Sequence, residues 1–165
     1  MRKYIVASVV AGFLMCAGTA LVAQNWNAAP LYGTLNLVTG FMPDPQSLAI
    51  QAGGADAVAN LGIYDPTGGA CRGYINSGAP DVRVHYTSGT TYPIRFYVSS
   101  ATDTTLLVNL PDTTWRCNDD YSGLNPLVHI DGPPAGQYDI WIGTYAAIAP
   151  TPATFFVTEL TSNGP

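Results

Sequence analysis

Four stretches of this chain alternate apolar and polar residues with a period of two: Leu48-Ala49-Ile50, Val82-Arg83-Val84-His85-Tyr86, Ile94-Arg95-Phe96-Tyr97-Val98 and Tyr138-Asp139-Ile140-Trp141-Ile142. Successive side chains of a strand point to opposite faces, so each stretch predicts a strand with one buried side. Shorter apolar runs at 31–37, 106–110, 127–130 and 153–157 bring the expected number to about eight. Turn signals fill almost every gap, among them Pro43-Asp44-Pro45, Gly53-Gly54, Asp65-Pro66-Thr67-Gly68-Gly69 and Asp131-Gly132-Pro133-Pro134. Strands at this spacing predict an all-β fold, a single jelly-roll-like antiparallel β-sandwich over residues 31–161. Helical bundles are excluded: Glu and Lys each occur once in 165 residues, and only 54–60 could form a helical turn. A hydrophobic content of 47% excludes disorder. No internal repeat argues for a second domain.

Residues 1–23 read differently. Arg2 and Lys3 precede an apolar run that ends in small residues, the layout of a signal peptide cleaved after Ala23. Small residues at the end of the run, with no basic cluster after it, favour cleavage over a membrane anchor. Met15 before Cys16 disfavours a lipidated cysteine. The polar segment 24–30 then forms a flexible lead-in, and 162–165 a frayed tail. The expected location is the periplasm or outside the cell, without membrane insertion after cleavage.

Removal of that segment leaves Arg72, Arg83, Arg95 and Arg116 against eleven acids. Four scattered Arg cannot assemble the footprint of a nucleic-acid binder or a polybasic membrane patch, and the sign favours cationic partners. Cys71 and Cys117 remain as an even pair in an exported chain, and a disulfide between them is predicted. Neither has the C-x-x-C spacing or flanking His of a metal or catalytic thiol.

The order Asp103-Thr-Thr-Leu-Leu-Val, Trp115-Arg-Cys-Asn-Asp-Asp120 and Gly136-Gln-Tyr-Asp-Ile-Trp-Ile-Gly143 resembles the bacterial pre-peptidase C-terminal domain family. The resemblance covers residues 31–159 and is concentrated in the second half. It implies a small jelly-roll sandwich of the kind appended to secreted proteases, several of which bind calcium at acidic loops. This chain carries no protease domain, so the appendage role does not transfer, and a stand-alone secreted module is expected.

Asn118, Asp119, Asp120 and Asn125 lie around Gly123, a bend residue, and could direct several oxygens at one centre. Calcium takes six to eight oxygens and binds extracellular modules at about 0.1–1 mM. Asp103 would join if its strand lies beside this loop, as the resemblance implies. The competing reading is a solvated turn whose Asx side chains cap the backbone. The spacing is not that of an EF-hand.

Catalytic signatures are missing. Asp103-Thr104-Thr105 and Asp112-Thr113-Thr114 lack the Gly that follows the aspartic-protease Asp-Thr, and there is no G-x-S-x-G. His85 and His129 fall on the faces expected to be exposed, and two isolated His supply neither a triad nor a zinc site. The glycine pairs lack the Lys-Ser/Thr of a phosphate loop. Trp141 and Tyr97 lie out of phase with their buried neighbours, and Tyr64, Tyr74, Tyr121 and Tyr145 flank turns. Such aromatics stack on sugars or peptides when exposed, but a sandwich can equally bury Trp115 and Trp141 under loops. The expected function is a noncatalytic binding module for an extracellular protein or polysaccharide, with a structural calcium ion. The alternative is a subunit of an extracellular polymer, in which the segment through Leu37 pairs with a neighbour's sheet edge.

Overall fold

All eight expected stretches form strands. A computed structural model describes residues 24–87 and 92–165; the segment 1–23, read above as a signal peptide, lies outside the described residues. In chain order the strands are β1 (Gly33–Val38), β2 (Gln46–Ala52), β3 (Asp56–Ala57), β4 (Tyr74–Ile75), β5 (Val82–Thr87) and β6 (Ile94–Ser99). They continue as β7 (Thr104–Asn109), β8 (Trp115–Asn118), β9 (Leu127–Ile130), β10 (Gly136–Thr144) and β11 (Thr151–Thr158). The three unexpected strands are short, β3 and β4 having two residues each and β8 four. The expected helical turn is a 3-10 turn at Val58–Asn60.

Two sheets pack as a β-sandwich. One holds β2-β11-β6-β9. The other centres on β10, with β5 and then β1 on one flank and β7 and then β8 on the other. Further along, the β5 flank is taken over by β4 and β3. Most pairs are antiparallel, as expected, but β1 runs parallel to β5, from Gly33 opposite Val82 to Val38 opposite Thr87. Between the sheets lie the in-phase residues of the alternating runs, including Val84, Phe96, Tyr138, Ile140, Phe155 and Val157, all buried. The Phe96 ring lies 5.5 Å from Tyr138 and 6.2 Å from Phe155, centroid to centroid.

The outer face of the β10 sheet is not open to water. Residues 53–73 leave β2, cross over β7, β8 and β10, and bury Val58, Ile75, Leu107, Cys117 and Trp141 in a second apolar cluster. This explains why every residue of β7 is buried instead of every other one. Trp141 is buried here against Trp115, their centroids 5.3 Å apart, so its out-of-phase position marks a second core and not a wet platform. The predicted disulfide joins Cys71 to Cys117 and clamps the excursion to β8. Beside it, a Cβ on Gly69 would lie 2.2 Å from the Cys117 carbonyl oxygen, so only glycine permits this approach.

Residues near both ends of the described chain hydrogen-bond to the sandwich. Arg83, in an ion pair with Asp139 (2.7 Å), donates to the Trp26 and Ala28 carbonyls, and Asn25 N–H donates to the Ser77 carbonyl. Residues 24–30 thus run as a strap hydrogen-bonded to the sheet. At the other end, buried Arg95 donates to the Thr161 and Asn163 carbonyls, and Asn163 Nδ2 donates to Thr158 Oγ1 at 3.0 Å. The 162–165 tail is held there for the same reason: a buried guanidinium needs acceptors.

Candidate functional site

The acidic loop follows β8. Its bend is made by Ser122 and Asn125, which exchange backbone hydrogen bonds at 3.1 and 3.2 Å around Gly123, whose φ of 60° suits a residue without a Cβ. Asp103 enters β7 alongside: the next residue's N–H donates to the Leu124 carbonyl at 3.2 Å. Burial, then Asp120, then Asp119 hold the Asp103 carboxyl above the usual carboxylate range. The charges of the three acids are thus felt at one corner, and Asp103 Oδ1 is buried with no hydrogen-bond partner.

The two amides play another part. Asn118 Oδ1 accepts the Leu127 N–H at 3.0 Å, and Asn125 Oδ1 accepts the Ser100 N–H at 2.9 Å. Both side chains cap strand ends distant in sequence, which differs from a local Asx turn. Asp119 has a cationic partner, with Arg72 Nε 3.3 Å from its Oδ2. The disulfide implies this pair, because it brings Arg72, next to Cys71, beside the residues that follow Cys117. Among the described residues, no three His, Cys, Asp or Glu side chains converge closely enough to hold a metal by themselves.

A second site went unread in the sequence. At the end of the sandwich where β2 leaves its sheet, a cavity of about 310 Å³ is lined by Leu31, Tyr32, Gln51, Asp56, Asn76 and Asp81, among others. Asp81 is only 3% exposed. It sits where β10 passes from β5 to β4: its N–H donates to the Ile140 carbonyl at 2.8 Å, while its Oδ2 accepts the Ile142 N–H at 2.7 Å. The side chain supplies the acceptor that no strand provides at that gap. Burial pushes its carboxyl up to about 7. Asp56 is held below the ordinary range by the Ser77 hydroxyl and N–H, both donating to its Oδ2.

No family model matches the chain, and no characterised protein matches it by sequence. Among solved structures it is similar to PliG of Aeromonas hydrophila, a periplasmic lysozyme inhibitor of g-type lysozyme. The two are 12% identical, the match covers 76% of this chain and 96% of that one, and the TM-score is 0.34.

The remaining candidates are separate from one another. His85 is exposed on β5; His129, exposed on β9, places Nε2 3.0 Å from Asp131 Oδ1. Neither ring reaches a Ser, Thr or Cys side chain among the described residues. Of the aromatics, Tyr97 is buried and stacks on Phe156 at 4.7 Å, Tyr74 is half-buried, and Tyr64, Tyr121 and Tyr145 stay exposed. No helix among the described residues is long and apolar enough to cross a membrane.

Proposed function

We propose that the chain is an exported, noncatalytic β-sandwich that binds an extracellular partner, protein or polysaccharide, through a surface braced by a structural calcium ion. The observation that carries the metal is the buried, unpartnered Asp103 Oδ1 in the field of Asp119 and Asp120. A cation there would serve the oxygen that no donor reaches and offset the mutual repulsion of the three carboxylates. Asp103 and Asp120 would hold the ion, with Asp119 shared between it and Arg72. Asn118 and Asn125 would act through the backbone they cap. The resemblance to pre-peptidase C-terminal domains supports both the module and its acidic loop.

Export is supported by the leader-like first 23 residues together with the disulfide. In the polymer alternative a neighbour would add to the outer edge of β1, which pairs with β5 on one side only and ends its sheet.

The test is a pair of thermal melts, one with calcium at a few times the ~1 mM typical of weak extracellular sites and one with EDTA. A higher melting temperature with calcium, lost in Asp103→Asn, is expected; superimposable melts would remove the metal. A hydrolytic activity abolished by His85→Ala or His129→Ala would overturn the noncatalytic reading.

A further inference from the structure

The cavity around Asp81 is short of positive charge in a particular way. Each of the four Arg among the described residues is engaged elsewhere: Arg72 with Asp119, Arg83 with Asp139 and the 24–30 strap, Arg95 with the C-terminal carbonyls, and Arg116 with the Trp115 carbonyl near Asp65. The one Lys of the chain is Lys3, in the leader-like segment. Among the described residues, the buried Asp81 carboxyl accepts one hydrogen bond, from the Ile142 N–H.

Besides Asp81 the cavity lining is largely apolar and backbone, with the oxygens of Asp56, Asn76 and Gln51 among it. Asp56 from β3 keeps Oδ1 available while Ser77 occupies Oδ2; Asn76 presents an Oδ1 that accepts the Gly78 N–H; Gln51 projects from β2. Leu31, the Tyr32 ring and Pro150 form an apolar shoulder. A small cation on an alkyl stem matches both halves, the head on the carboxylates and the stem along the shoulder. The titratable groups that face the cavity are Asp81, Asp56 and Tyr32.

We propose that this cavity is a binding site for a primary alkylammonium group, carried either by a lysine of a protein partner or by a free amine. The inference deepens the binding-module reading by naming the chemistry of what is bound, and the cavity shares no residue with the proposed calcium corner.

Binding requires the ionised Asp81, which burial disfavours, so an incoming ammonium displaces a proton and affinity rises with pH through the Asp81 titration. Amines with pKa well above that range stay charged throughout it.

The experiment is an NMR titration of the full chain with n-butylammonium, read at the Ile142 and Gly53 amides, both of which bond around the Asp81 gap. Saturable shifts that strengthen from pH 5 to 8 are expected. Asp81→Asn should weaken binding by about thirtyfold or more, as when one partner of a buried charge pair is removed. Leu31→Lys, at a half-exposed cavity rim, tests the site without touching its carboxyls: its own ammonium should block the added one. Asp131→Asn, far out on an exposed turn, should bind unchanged.

An acetylated and amidated Gly-Lys-Gly peptide separates the two sources: tighter binding than butylammonium assigns a protein lysine, equal or weaker binding a free amine. Equal shifts with 1-butanol, unsaturable shifts, or undiminished binding in Asp81→Asn and Leu31→Lys would each overturn the proposal. Amide shifts in a chain whose melting ignores calcium would keep the amine site and drop the metal; a calcium-dependent melt without amide shifts would do the reverse.

Discussion

The Asp81 carboxylate takes the Ile142 N–H at 2.7 Å at the one place along β10 where neither β5 nor β4 supplies an acceptor. A buried carboxyl doing the work of a missing strand ties stability to its protonation. Its pKa is about 7 in the fold against 3.8 in the unfolded chain. The folded state therefore keeps a proton that the unfolded state releases, and the stabilisation is complete below about pH 4 and lost as pH rises to about 7. Urea unfolding at successive pH values should show stability declining across that window. Asp56 and Asp112, whose pKa values are lowered, act with the opposite sign and only at lower pH. Asp81→Asn can still accept from Ile142, so it should flatten the decline and raise stability at neutral pH.

Loss of the disulfide should open the outer core before the inner one. Cys71 and Cys117 are 46 residues apart, and closing a loop of that length contributes about 4 kcal/mol in the chain-entropy model. The bond also pins the excursion that covers Trp141. A Cys71→Ser/Cys117→Ser variant should lose about that much stability in denaturant melts. Its tryptophan emission should shift to the red as water reaches Trp141 and Trp115.

Arg83 links a buried ion pair to the strap. Replacing it with Leu leaves Asp139 with only Gln137 Nε2, at 2.7 Å, as a side-chain donor. Removing one partner of a buried pair costs about 3 kcal/mol or more. The strap also loses the donor to Trp26 and Ala28, so amide hydrogen exchange at Asn25 and Ala28 should accelerate well beyond that of the β5–β10 ladder. Protection at Asn25 unchanged from the parent would show that the strap is held by something other than Arg83.

Alternation told which residues share a face in four stretches, and apolar runs between turn signals placed the other four. Alternation could not tell whether the other face is wet. Trp141 and Tyr97 read as candidates for exposure because nothing local reports that residues 53–73 return over β10 or that Phe156 stacks on Tyr97. The Cys pair was the one long-range clue in the sequence. Followed a residue further, it also implies the Arg72–Asp119 pair. The acidic corner was legible as composition, but the use of Asn118 and Asn125 as caps depends on where Leu127 and Ser100 fall, which spacing does not reveal. Asp81 gave no sign at all: its burial arises at a gap between β4 and β5 that only the pairing of both with β10, 61 residues further on at Ile142, creates.

The single Glu of the chain, Glu159, is buried at one end of the sandwich, where it accepts the Tyr86 hydroxyl at 2.6 Å and the Gly40 N–H at 2.7 Å. Burial first, and then the bond to Glu159, push the Tyr86 phenol up to about 12. Ionising Tyr86 would put a second negative charge beside the carboxylate, so the folded state resists it and stability falls as pH rises from about 10 toward 12. Glu159→Gln removes the charge and keeps one oxygen for the Gly40 N–H, while its amide nitrogen can donate to the Tyr86 hydroxyl oxygen. In that variant the Tyr86 pKa should fall, yet stay above 10 because burial, the larger cause, remains. Near-ultraviolet absorbance titration, with Tyr86→Phe to assign the phenol, measures it. A phenol that titrates alike in the parent and in Glu159→Gln would show that the carboxylate has no part in holding the Tyr86 proton.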